Sequence, residues 1–163
     1  MYAGIVRKPI PGDAERLGSN LRGADLEELR AAQPGKDPRV VLRVGFESTP
    51  NLRVVELDGE PAAAYGVVPD PTPGYPKVGL VWMVGSPALY THWREFARRS
   101  RPLLAEASLG YDLIWNVVHE HNTRHVEWLR RLGFTFFRKV PVNGHQFIEF
   151  SKHVSPRHPT DCG

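Results

Sequence analysis

The residues best equipped for chemistry crowd into one short run, His119-Glu120-His121-Asn122, with His125 close behind. A carboxylate between two imidazoles can accept and donate protons near neutral pH. Glu120 is therefore the candidate catalytic base. The competing reading is a solvated strand end, where polar residues gather without a task. His119 and His121 alternate and would share one strand face, which raises metal ligation. No cysteine or acidic ligand stands at a fixed spacing beside them, and a turn at Asn122 would carry His125 away, so no metal site is assigned. Arg94, Arg98 and Arg101 recur at helical spacing and form a basic stripe with Arg99. Such a stripe suits nucleic acid or an acidic protein, or is simply the solvated face of a helix. No aromatic residues are interleaved at stacking spacing, so single-strand binding has no support.

The elements that would position these groups can be read from the pattern. Leu113 to Val118 is rich in β-branched and aromatic residues with apolar side chains on both faces, which predicts a buried strand. Asn122 stops it and offers a side-chain oxygen to the first amides of a helix. That helix carries Val126, Leu129 and Leu132 on one side, and Gly133 ends it. Earlier, Tyr2–Val6 is a first strand and Asp13 caps a short helix. Asp25–Ala32 is a second helix with Leu26 and Leu29 on one face. Asp37-Pro38 starts a third, with an acid at the cap and proline in the first turn. Leu52–Leu57 and Ala62–Val68 form a hairpin about Asp58-Gly59. Val78–Val84 is an apolar central strand. A long helix over 88–107 follows, kinked or divided at Pro102. Thr135–Val140 and His145–Phe150 close the sheet about Asn143-Gly144. Pro69–Pro76 is a proline-rich loop.

The order implies an α/β (α+β) domain with a mixed sheet of six or seven strands and helices on both faces. Residues 1–150 form that domain and 151–163 a polar, loosely ordered tail. With 163 residues, the chain suits one core. Hydrophobic residues are 41% and charged residues 24%, ordinary for a water-exposed domain. No apolar run approaches the ~20 residues of a membrane span, and no secretory leader is evident. The one cysteine, Cys162, excludes an internal disulfide. A net charge of +3 is too small to argue for nucleic acid without a local patch.

The Asn122–Phe134 run resembles the late strand–helix unit of the GNAT superfamily, the acyl-CoA-dependent N-acetyltransferases. There Asn is followed by a Tyr and then Gly-Phe; here the matching residues are Asn122, Leu129 and Gly133-Phe134, with Trp128 before Leu129. The resemblance implies acetyl-CoA as cofactor and a pyrophosphate cradle between the fourth strand and the long helix. Met83, Val84, Gly85, Ser86 and Asn122 are the cofactor-binding residues that it implies. Leu129 stands where the family has its general-acid Tyr and cannot donate a proton. Tyr90, His119 and His121 are substitutes for it. The cradle stretch Gly85-Ser86-Pro87 holds one glycine where the family has more, and a proline that removes a donor.

A narrower resemblance spans roughly residues 10 to 150. LDGEPAAAYGV, VWMVGSPAL, HWREFARRSRPLL, NVVHEHNTRHVEWLRRLGF and GHQFIEF are similar to the internal virion protein A family of short-tailed phages, themselves GNAT-like. The matches include Asp58, Gly59, Glu60, Pro61, Trp82, Gly85, Asn122, Trp128, Gly133, Phe134, Phe147 and Phe150, with Ser86 where Thr is common. It implies a catalytically reduced protein of particle assembly or of the host, located in the virion or host cytoplasm. Its partners would be virion or host proteins, with nucleic acid as a lesser option through Arg94, Arg98 and Arg101. The rival expectation is a working N-acetyltransferase on a small amine or a protein Lys or N-terminus. It requires a splayed gap between the fourth and fifth strands.

Overall fold

The computed structural model describes residues 4–72 and 77–154. Its centre is a seven-stranded sheet in the order β1-β2-β3-β4-β5-β7-β6. The strands are β1 (Ile5–Arg7), β2 (Arg53–Leu57), β3 (Glu60–Pro69), β4 (Val78–Gly85), β5 (Leu113–His119), β6 (Thr135–Val142) and β7 (His145–His153). Every neighbouring pair is antiparallel except β4 and β5, which run parallel. Both tight hairpins turn as expected, with positive φ at Asp58-Gly59 (51° and 78°) and at Asn143-Gly144 (50° and 80°).

Three helices, α1 (Asp13–Gly18), α2 (Gly23–Ala32) and α3 (Pro38–Ser48), cover one face. Two more, α5 (Trp93–Ala107) and α6 (Thr123–Arg131), cover the other, after the single turn α4 (Pro87–Thr91). The alternation along β4 divides the core between them. Trp82 and Val84 pack with Leu17, Leu29 and Leu42. Met83 packs with Leu89 and Phe96, and Val81 with Leu129 and Ile114. Ala62, Ala63 and Ala64 are buried as their size suggests. At Gly66 a Cβ would lie 2.4 Å from Thr49 Cγ2, so only glycine allows the end of α3 to approach β3 this closely.

Asp37 caps α3 as expected, accepting the Arg39 amide at 2.9 Å ahead of Pro38. Three local expectations change. Asp13 is the first residue of α1, not its cap; Gly12 takes the cap with φ 92°. Asp13 is instead buried against Arg7 (2.8 Å) and Arg16 (3.1 Å). The long helix divides at His92 and runs on through Pro102. Arg98 and Pro102 are both exposed, so the carbonyl that loses its amide partner can turn to water. Finally, β7 continues to His153, past the strand end expected at Phe150, because Ser151, Lys152 and His153 pair with β5. Tyr2, Pro73 to Pro76 and Cys162 lie outside the described residues.

Candidate active site at the parted strands

Strands β4 and β5 pair only at Val78↔Leu113, Gly79↔Ile114 and Leu80↔Trp115. Beyond that point β4 continues to Gly85 and β5 to His119 without pairing. Asn116 sits in the fork. Its Nδ2 donates to the Val81 carbonyl at 2.8 Å and its Oδ1 accepts the Val117 amide at 2.8 Å. One side chain thus satisfies the first two backbone groups that the parting leaves bare.

Backbone groups point alternately to the two sides of a strand. Ser86 donates to Ala62 of β3 at 2.8 Å, so Gly85, Met83 and Val81 turn toward the gap. Glu120 donates to Gln146 of β7 at 3.1 Å, so His119 and Val117 turn toward the gap from the other side. The Leu80↔Trp115 pair uses the Val81 amide, so four amides face the open gap: those of Gly85, Met83, Val117 and His119. Asn116 takes Val117. Glu28 Oε1 takes His119 at 2.6 Å. Asp25 Oδ2 takes Gly85 at 3.0 Å. Met83 has no side-chain acceptor among the described residues.

Asp25 and Glu28 lie one turn apart on α2, so a single helix reaches the free ends of both strands. Asp25 is 1% exposed and is the hub of a buried network. Its oxygens accept from Arg22 (3.2 Å), Asn122 Nδ2 (3.2 Å) and Tyr90 (3.2 Å). Asn122 Oδ1 accepts in turn from Arg22 at 2.5 Å. Tyr90 also bonds His125, and its ring stacks on Trp93 at 4.7 Å. Burial pushes the His125 imidazole down to about 4, so it is neutral at pH 7. Burial and the nearby Asp25 push the Tyr90 hydroxyl up, so it stays protonated.

One cavity of about 800 Å³ takes wall residues from α2 and α3 on one face and from α5 and α6 on the other. Val81 to Val84 and Asn116 to Val118 lie between them, so the cavity passes through the gap. Glu28 is part of its wall. Loss of water, with the Asp25 charge assisting, pushes the Glu28 carboxyl up to about 7. A carboxylate at that value can exchange a proton near neutral pH.

The sequence-predicted residues divide by position. Met83 and Val84 line the cavity. Gly85 gives its amide to Asp25 and Ser86 gives its amide to Ala62, so neither presents it to a phosphate. Asn122 makes no side-chain cap to α6, contrary to expectation; Asp25 and Arg22 hold it instead. Glu120 lies outside the cavity wall, against Lys139 (3.4 Å) and His121 (3.7 Å). The carboxyl at the gap is Glu28, which sequence reasoning missed. Leu129 is 7% exposed in the core with Ile114 and Phe134. No cluster fit for a metal occurs among the described residues. His119 lies beside His121 and His145, and burial, assisted by those neighbours, holds its imidazole below the ordinary histidine value. Of the arginine stripe, Arg94 borders a second, polar pocket of about 720 Å³ with His92, Arg124 and Arg131. Arg98 pairs with Glu95 at 3.7 Å, and Arg101 reaches the Arg131 carbonyl.

No protein-family model matches the chain, and no curated protein matches it. Solved structures do. The aminoglycoside acetyltransferase AAC(6')-Ib, in complex with ribostamycin and coenzyme A, superposes with a TM-score of 0.68 at 15% identity, covering 93% of this chain and 94% of that one. A GCN5-related N-acetyltransferase from Kribbella flavida gives 0.65 at 20% identity, covering 93% and 98%. The protein yncA from Salmonella typhimurium, solved with its cofactor acetyl-CoA, gives 0.70 at 12% identity, covering 99% and 100%. At these identities the likeness shows the fold: a single α/β domain of the GNAT type, with a seven-stranded mixed sheet and six helices among the described residues.

Proposed function

We propose that this chain is an acyl-CoA-dependent N-acyltransferase, with acetyl-CoA as donor and an amine as acceptor. The parting of β4 from β5 carries the reading, because it joins the open Met83 amide and the Glu28 carboxyl in one cavity through the sheet. The fit to a CoA donor is of two kinds. The gap suits the narrow pantetheine arm, and two buried atoms near it, Ser86 Oγ and Arg22 Nε, have no protein partner. The expected amide cradle at Gly85 and Ser86 is taken, so side chains hold the phosphates instead. Arg94 and Arg124 supply the positive charge at the adjoining pocket, which Arg131 also borders. Its two acids, Glu95 and Glu127, are paired with Arg98 (3.7 Å) and Arg131 (2.9 Å).

Acetyl-CoA supplies an acyl group on a thioester. The Met83 N–H donates to the carbonyl oxygen and stabilises the charge that grows there. Glu28 takes the proton released by the attacking nitrogen. Asp25, Arg22 and Asn122 fix α2, and so fix Glu28, against both strand ends. Calorimetric titration with CoA tests the reading. Micromolar binding is expected, weakened about tenfold or more in Arg94→Glu/Arg124→Glu.

Two observations favour a second reading. Asp25 on the Gly85 amide and Leu129 in the core remove two family features at once. They suit the catalytically reduced role, in a phage particle or on host proteins, that the narrower resemblance implies. Folded protein that leaves CoA unbound at millimolar concentration would favour it.

A further inference from the structure

The acceptor side of the cavity has its own chemistry, and this inference rests on the acyltransferase reading. The wall between α2, α3 and β4 is built from Leu29, Val41, Val44, Trp82 and Val84, and Glu28 lines the same cavity. Trp82 is fixed: its Nε1 donates to Thr49 Oγ1 at 3.0 Å, and Thr49 donates to the Gly45 carbonyl at 2.6 Å. Gly45 lies beside that indole. A Cβ built there would already make ordinary contact with Trp82, at 3.6 and 3.8 Å, so a larger side chain at this position would crowd the apolar wall. At the outer end Val40 and Val44 are 45% and 56% exposed, so the apolar surface continues to the mouth.

Charge sets the other limit. Three carboxylates line the cavity: Asp25, Glu28 and Asp37. Asp25 is filled by Gly85, Arg22, Asn122 and Tyr90. Asp37 is held by the Arg39 guanidinium at 2.8 Å. Glu28 alone of the three has no cationic side chain bonded to it. A second ammonium would stand unpaired against apolar wall, which is costly.

The geometry points to a primary monoamine on an apolar, flat or aliphatic body as the acceptor, its nitrogen at Glu28 and its body along the wall of Trp82, Val84, Val41 and Val44. In the transfer the nitrogen forms a bond to the acyl carbon and the carbon–sulfur bond breaks. The nitrogen's proton passes to Glu28, and the departing sulfur takes up one proton, so the products are an amide and a free thiol.

The test uses the full chain with 2-phenylethylamine, methylamine and 1,4-diaminobutane. With acetyl-CoA, kcat/KM for 2-phenylethylamine should exceed that for either other amine by about 10- to 100-fold. Gly45→Leu should reduce the preference for 2-phenylethylamine over methylamine by about tenfold, with the fold checked by circular dichroism. Without donor, 2-phenylethylamine should perturb tryptophan emission in the wild type and much less in the variant. Transfer that favours the diamine, or a preference unmoved by folded Gly45→Leu, would overturn the acceptor class. Absence of transfer to any amine, with CoA unbound, would overturn the acyltransferase reading, while the emission change would still stand or fall on the apolar wall alone.

Discussion

Asp25 accepts the Gly85 amide at 3.0 Å, tying the first turn of the chain's second helix to the end of its central strand. The contact joins residues far apart in sequence, and it closes the place where a phosphate cradle was expected. With Glu28 on the His119 amide, it sets the width of the gap from one rigid turn of helix. The same network therefore serves stability and the positioning of Glu28.

Removing that hub should be expensive. Asp25→Ala strips a buried anion from Arg22, Asn122, Tyr90 and Gly85 and should lower unfolding free energy by about 3–5 kcal/mol. Asp25→Asn keeps an acceptor for the Gly85 amide and should lose less. Urea denaturation of the three proteins orders them; equal midpoints would contradict the hub.

The pH dependence of stability should carry a mark of Glu28. Its folded value of about 7 lies above the ordinary carboxylate range. The unfolded chain gives up this proton first, so ionisation costs stability from about pH 4.5 upward and the whole cost is present above about pH 7. Glu28→Gln should remove the cost and raise the melting temperature at pH 8 more than at pH 5. A rise that is equal at both would contradict the assignment.

His125 acts in the opposite direction. Burial holds it at about 4, below its ordinary value near 6.5. The unfolded chain binds the proton first, so stability is intact above about 6.5 and falls as pH drops through 4, by at most about 1.4 kcal/mol per pH unit. His125→Phe keeps an aromatic ring beside Trp93 and should flatten the acid limb measured by thermal melts. An unchanged limb would count against a buried neutral imidazole.

Asn116 gives a local test of the fork. Asn116→Leu leaves the Val81 carbonyl and the Val117 amide without their partner and should cost about 1–3 kcal/mol. Amide hydrogen exchange should accelerate at Val117 before it does at Trp115, whose amide faces β4 within the ladder. Equal protection at the two would mean that the strands do not part there.

Much of the fold was legible because it is local. Asp58-Gly59 and Asn143-Gly144 specify their turns, Asp37-Pro38 specifies a helix start, and Gly133, with φ 95°, ends α6. Met83 and Val84, which the resemblance to the GNAT superfamily implies as cofactor-binding, line the cavity. Glu28 was not legible. Leu26 and Leu29 suggested which face of α2 is buried, but Asp25 and Leu29 are buried and Leu26 is only partly so. Two acids one turn apart look like a solvated face until the strand amides that they meet are known. Glu120 drew attention for the reverse reason: its histidine neighbours look catalytic in sequence, yet the turn after β5 puts its carboxylate beside Lys139. Asn122 likewise sat at a cap position while its partner, Asp25, lay almost a hundred residues earlier.

The central claim is acyl transfer at the parted strands, and the release of thiol from acetyl-CoA in the presence of a primary amine measures it most directly, with the N-acetyl product identified by mass. The account predicts release that saturates with amine, rises with pH through about 7 as Glu28 ionises, and falls about 10²- to 10⁴-fold in Glu28→Gln. Folded protein that releases no thiol with any amine and leaves CoA unbound at millimolar concentration would contradict it.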